Sequence, residues 1–273
     1  MGYVRALWNA LWYAVVFLLI ALVTQLVCSL LWSWYAGQDL RAVVNGLSNG
    51  QYATLQVVCA VTSGLLTVLL FGLLKWSPFS RDYIRSRPWG VLFWTVTMTI
   101  GLILPLEWIY ERMQIAMDDS VAQLFDGILR DPYGYFAVGI IAPVAEEMVF
   151  RGAVLRTLLK CFDKKMVWVA IAISALLFAL VHGNKAQGVH AFIMGLILGV
   201  LYYRTGSIVP GMVLHWVNNT LAYVLYNMMP QMNDGKLIDF FHGDDRLLYM
   251  GLGCSLLILV PSVFQLIIRT KRQ

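Results

Sequence analysis

Three short polar patterns interrupt a chain that is otherwise strongly apolar. Glu146 and Glu147 are followed by Arg151, Phe178 by His182, and His215 by Asn219. Each set lies in a run hydrophobic enough for a membrane, where an ionisable side chain costs at least about 2.5 kcal/mol unless it is partnered. On a helix, adjacent residues point about 100° apart, so the two glutamates cannot share one environment. Glu147 and Arg151 stand at i, i+4 and can form a salt bridge along one face. No cation stands at helical spacing from Glu146 in the sequence. A carboxylate that is desolvated without an ion pair holds a proton more readily and becomes available for proton transfer. Phe178 and His182 share a helix face, as do His215 and Asn219. A carboxylate, two imidazoles and an amide brought to one point are a sufficient set for activating water and stabilising an oxyanion.

Plainer roles compete with that reading, because polar side chains in membrane helices also serve as hydrogen-bond glue between helices. For His182, at a span end before Gly183, a structural role stands beside the chemical one. Asn218, next to Asn219, reads as structural, and His190 and His242, near or in connectors, read as solvated. The Gly195 and Gly199 pair reads as a close helix contact. Pro143, three residues before Glu146, is expected to open the helix locally and free backbone carbonyls. Two carboxylates at mid-span have no comparable structural explanation, so the functional site is expected there.

The elements that must position these residues are membrane helices. Of the 273 residues, 60% are hydrophobic and only 13% charged, with a mean hydropathy of +0.71. A soluble domain carries about 25% charged residues. Trp12 to Leu31 runs twenty positions without a charge, which suits a helix crossing hydrocarbon and is too long for a signal-peptide core. Further spans are expected at about Ala53 to Trp76, Trp89 to Tyr110, Tyr135 to Lys160, Met166 to His182, Ala186 to Tyr203, Ile208 to Met229 and Leu247 to Ile268. Short connectors carry turn signals, among them Ser77-Pro78, Thr205-Gly206 and Asn233-Asp234-Gly235. The expected fold is all-α: one polytopic membrane bundle of about eight transmembrane helices over residues 1–273, with the motif-bearing core at 135–229.

The net charge of +5 is distributed by loop and does not form a nucleic-acid surface. One set of loops holds Arg5, then Lys75 to Arg87, then Arg156 to Lys165, then Arg204, then Arg269, Lys271 and Arg272, with Asp82 and Asp163 as its only acids. The alternate loops hold eleven acids and six cations. By the positive-inside rule both termini are expected in the cytoplasm. The stretch from Glu111 to Asp131 is expected to be an external amphipathic segment. Cys28, Cys59, Cys161 and Cys254 form no CxxC pair and read as small buried hydrophobes.

The patterns EExxxR, FxxxH and HxxxN, in that order on successive apolar segments, resemble those of the CPBP family of intramembrane proteases, also called the CAAX protease and bacteriocin-processing (Abi) family. The resemblance covers roughly Gly139 to Tyr226 and includes the linking stretch from Gly195 to Pro210. It implies an intramembrane endopeptidase in which Glu146, helped by His182, activates water while His215 and Asn219 hold the oxyanion. Glu147, Arg151 and Phe178 would support them. The implied partners are a membrane-associated protein or peptide substrate and the bilayer. Other readings are a non-proteolytic immunity or scaffold protein, and an ion-coupled transporter using the glutamates.

One glutamate and two histidines could also ligate a catalytic zinc with water in the fourth position. HExxH is absent, however, and taking Glu146 as a ligand leaves no evident general base once Glu147 is committed to Arg151. No cofactor is therefore expected, with zinc as the alternative.

Overall fold

The computed structural model describes residues 2–229 and 236–270. The expected turn at Asn233 to Gly235 and the cations Lys271 and Arg272 lie outside them. In chain order the helices are α1 Tyr3–Ala36, α2 Leu40–Ser48, α3 Ala53–Leu73, α4 Arg81–Arg85, α5 Trp89–Arg112 and α6 Asp119–Arg130. They continue with α7 Ala142–Glu147, α8 Arg156–Cys161, α9 Val167–Leu180, α10 Lys185–Thr205, α11 Val209–Met228 and α12 Asp245–Arg269. No strand occurs among the described residues.

All eight expected spans are helical, but length and apolarity qualify five of them for a crossing: α1, α3, α5, α10 and α12. Helix α9 has 14 residues and reaches only about 21 Å at 1.5 Å per residue. In α11 the polar residues that make it interesting, His215, Asn218 and Asn219, lower its apolarity. The third exception is the stretch from Phe136 to Cys161, whose backbone stays helical but is π-wound at Phe136–Ile141 and Met148–Leu155 on either side of α7. A π turn is commonly found at functional sites and relieves the hydrogen bond that Pro143 cannot make.

The chain forms two compact units, residues 1–79 with 117–200 and residues 80–116 with 201–273. In the first, α1 runs along α3 and over the π-wound helix. Ala6, Ala10 and Ala14 are buried at 0%, 0% and 3% exposure, so α1 packs closely through one small-residue face. Phe17 meets Phe150 edge-on, with ring centroids 5.8 Å apart. A Cβ on Gly64 of α3 would collide with Ile141, which fixes how near α3 lies to the glutamate-bearing helix. Helix α1 ends where Gly37 takes φ +64° and its N–H bonds the Ser33 carbonyl, a left-handed stop that glycine adopts without strain. Asp39 then caps α2 by accepting from the N–H groups of Arg41 and Ala42. Helix α6 is amphipathic, as expected, and packs on α2 and α3. Asp131 is buried and accepts from Thr54 Oγ1 at 2.6 Å and the Tyr133 N–H at 2.8 Å.

In the second unit α5 packs along α12 and against α11. A Cβ on Gly101 would stand 2.8 Å from the Leu259 nitrogen, so the α5 and α12 backbones nearly touch. The hydroxyls of Ser262 and Thr97 meet at 2.9 Å in the same seam. Arg204 caps the end of α12, donating to the carbonyls of Ile267 and Thr270, each at 2.7 Å.

Contacts within each unit pair the loops as the charge pattern pairs them. Tyr3 donates to Asp163 at 2.9 Å, joining two loops of the basic set. Arg204 and Thr270 join two more. On the acidic side, Tyr52 donates to Gln38 at 2.6 Å, and the Leu237 N–H donates to Glu111 at 3.1 Å. Two expectations are corrected. His190 lies in the second turn of α10 and is half-buried, rather than solvated in a connector; His242 is exposed. Of the cysteines only Cys59 is fully buried, while Cys254 is exposed on α12, whose outer face needs no partner in lipid.

Candidate active site

In the first unit the structure gathers Glu147, Arg151, Phe178 and His182 into one connected chain of contacts. The π-wound helix places Glu147 and Arg151 inward, both at 0% exposure, with Arg151 Nη1 2.8 Å from Glu147 Oε1. The second guanidinium nitrogen donates to the Gly195 carbonyl of α10 at 3.2 Å. That reach depends on glycine: a Cβ at Gly195 would stand 2.9 Å from the Ala175 Cα, and one at Gly199 would stand 2.7 Å from Ile171. The expected close contact is therefore between α10 and α9. The guanidinium carbon lies 4.6 Å from the centre of the Phe178 ring, a cation–π contact shielded from water. Phe178 packs on Phe150 at 5.0 Å, and the Ser174 hydroxyl ties α9 to the Phe150 carbonyl at 2.8 Å.

His182 sits one turn beyond Phe178, just past the end of α9. Its ring meets Phe178 edge-on at 4.9 Å, and its Nδ1 is 2.7 Å from the Phe178 carbonyl oxygen. A carbonyl only accepts, so this bond requires the proton on Nδ1 and leaves Nε2 of the neutral imidazole as an acceptor. Asn184 then donates to the His182 carbonyl at 3.2 Å and caps the start of α10 by accepting from the Gln187 N–H at 2.9 Å.

Glu146 differs from its neighbour, being half-buried where Glu147 is fully enclosed. The structure thus places the two carboxylates in different environments, as a helical turn requires. The carbonyls of Gly195 and Phe178 were not foreseeable from side-chain patterns. Gly195 had a signal only in its small size, and the Phe178 carbonyl had none.

In the second unit α11 carries the third pattern. His215 is buried at 7% exposure, and Asn219 is half-buried. The Asn218 side-chain amide donates to the Asn219 side-chain oxygen, Oδ1, at 3.2 Å. Asn218, read from sequence as structural, touches the residue it would orient. Among the described residues no group of three or more His, Cys, Asp or Glu side chains is placed to hold a metal ion.

Residues 129–221 match the family described as type II CAAX prenyl endopeptidase Rce1-like. The chain is also similar to the membrane-embedded CAAX protease MroQ of Staphylococcus aureus (strain USA300), at 25% identity over 149 residues, which are 53% of this chain and 60% of that protein. The chain thus spans less than two thirds of this curated relative. No solved structure matches. The matched segment contains all three polar patterns, from Glu146 to Asn219, and its description agrees with the family that those patterns resemble.

Proposed function

We propose that the chain is an intramembrane endopeptidase that hydrolyses a peptide bond of a membrane-associated protein or peptide with water activated by Glu146. The observation that carries this reading is the division between the glutamates. Glu147 is enclosed and bonded to Arg151, while Glu146, on the same turn, is the more accessible carboxylate. The family match and its relative's printed name as a protease support the reaction class.

In this mechanism the Glu146 carboxylate takes a proton from water as the water oxygen attacks the scissile carbonyl carbon. His182 Nε2 accepts from the same water and orients it. The carbonyl oxygen becomes an oxyanion, which accepts from the Asn219 amide and the His215 ring. When the C–N bond breaks, the proton held by Glu146 passes to the leaving amine. Arg151, Glu147 and Phe178 position the helix and the imidazole. The donor set favours a metal-free route, because Glu146 as a metal ligand would leave Glu147, already paired at 2.8 Å, as the remaining base. The loop charges support cytoplasmic termini, and the helical spans with the bacterial relative support a bacterial inner-membrane location.

The test is cleavage of a library of membrane-anchored peptides by the full chain reconstituted in liposomes, with fragments identified by mass spectrometry. Wild type should yield fragments. Glu146→Gln should yield none, and Asn219→Ala should be slower by about 100-fold or more, the usual cost of one oxyanion donor. Equal cleavage by wild type and Glu146→Gln would reject the mechanism.

A further inference from the structure

Helices α1 and α3 are antiparallel neighbours, and ring contacts at both ends of their seam set the register. Trp32 meets Tyr52 at 6.1 Å near one end, and Tyr13 meets Phe71 at 6.2 Å near the other. Nineteen residues separate the two contacts on each helix, so the helices stay in step between them. Four residues back from Trp32 on α1 is Cys28, and the register puts it level with the turn of α3 that carries Cys59. The register thus sets the two thiols on facing turns of α1 and α3, near enough to interact. Neither is bonded to the other covalently; both are free thiols, Cys59 buried and Cys28 half-buried.

We propose that Cys28 and Cys59 are a redox site, oxidised by a peroxide to a disulfide that ties α1 to α3. Cys28 is the more accessible thiol and is attacked first. Its sulfur, as the thiolate, displaces one oxygen of hydrogen peroxide as hydroxide, which takes up a proton to become water, and the sulfur becomes sulfenic acid. The Cys59 sulfur then displaces the sulfenic oxygen, forming the S–S bond and releasing the second water. Two thiols and one peroxide give one disulfide and two waters, with the sulfurs oxidised and the peroxide reduced. A small neutral oxidant suits a pair on apolar helices, where a charged disulfide reagent would be excluded.

The pair lies about 12 Å from the Ala36 end of α1 and about 9 Å from the Ala53 end of α3, at 1.5 Å per residue. In the orientation proposed above these ends face outward, the side on which disulfides persist. The bond would also brace the glutamate-bearing helix, because α1 packs on it through Phe17 and α3 through Gly64.

The experiment uses the full chain in detergent with Cys161→Ser and Cys254→Ser, so that only the pair remains. Thiols are counted by a maleimide mass tag after denaturation, before and after hydrogen peroxide. Two tags should be present before oxidation and none after, both should return with dithiothreitol, and mass spectrometry should find the Cys28 and Cys59 peptides joined within one chain. Adding Cys59→Ser should abolish the intramolecular link while leaving the helices packed, since serine keeps the size. Tags that persist through excess peroxide would overturn the proposal. So would loss of one tag without the other, loss that dithiothreitol cannot reverse, or a link formed only between two chains.

Discussion

Replacing Glu147 with alanine removes half of an ion pair that is sealed from solvent on both sides. Glu147 and Arg151 are each 0% exposed and 2.8 Å apart. Breaking such a pair by deleting one partner costs about 3–5 kcal/mol, because the remaining charge stays buried without its counter-ion. Arg151 keeps the Gly195 carbonyl at 3.2 Å and the face of Phe178 at 4.6 Å. Those contacts offset on the order of 1–2 kcal/mol, so a net loss of about 1–4 kcal/mol is expected. At about 2–4 °C per kcal/mol for a large domain, Tm should fall by roughly 2–16 °C. Glu146→Gln is nearly isosteric at a half-buried position and should stay within about 0.5 kcal/mol of wild type. The assay is thermal unfolding in detergent of Glu146→Gln, Glu147→Ala and the double variant Glu147→Ala/Arg151→Met. Removing both charges should recover most of the stability that Glu147→Ala loses. If Glu147→Ala melts with wild type, or the double variant is no better than the single one, the buried pair does not hold the helix as described.

Reporter fusions after Arg87 and Lys165 should report the cytoplasm and a fusion near Asp119 the outside; the reverse pattern would invert the orientation while keeping the loop pairing. Tyr83, in the short α4 outside the spans, has its pKa pushed up to about 12 by burial, and its hydroxyl has no hydrogen-bond partner. The folded state therefore favours the neutral phenol: this stabilisation is intact below about pH 10 and is lost as pH rises toward 12. Tyr83→Phe should abolish that loss in alkaline melting curves, and an unchanged curve would show that Tyr83 does not couple to folding. Chelator treatment followed by elemental analysis should leave turnover unchanged. Stoichiometric zinc whose removal stops turnover and whose return restores it would overturn the metal-free route.

Much of the architecture was legible because the bilayer imposes simple rules. Charge-free runs marked helices, and alternating loop charges paired Tyr3 with the Asp163 loop before any contact was known. The Glu147 and Arg151 bond was legible because i, i+4 spacing is local geometry. The π winding at 136–141 and 148–155 was not, since apolar composition carries no information about a single inserted residue per turn; Pro143 signalled only that a bond was missing. The short α9 was overestimated because apolar residues continue into the connectors that bound it. Nothing local joined Cys28 to Cys59, whose encounter is set by the register of two helices, and nothing in FxxxH told which ring nitrogen of His182 meets the Phe178 carbonyl. The contacts among the candidate residues were legible where spacing along one helix sets them and hidden where backbone carbonyls of other turns take part.

Comparative peptidomics of membranes from cells expressing either wild type or Glu146→Gln, at matched protein levels, tests the central claim most directly. Peptides and new chain ends present with wild type should be absent with Glu146→Gln, while the two proteins melt within about 2 °C of each other. The same products from both proteins, or none from either in membranes that contain the folded chain and its native substrates, would contradict peptide-bond hydrolysis by a Glu146-activated water.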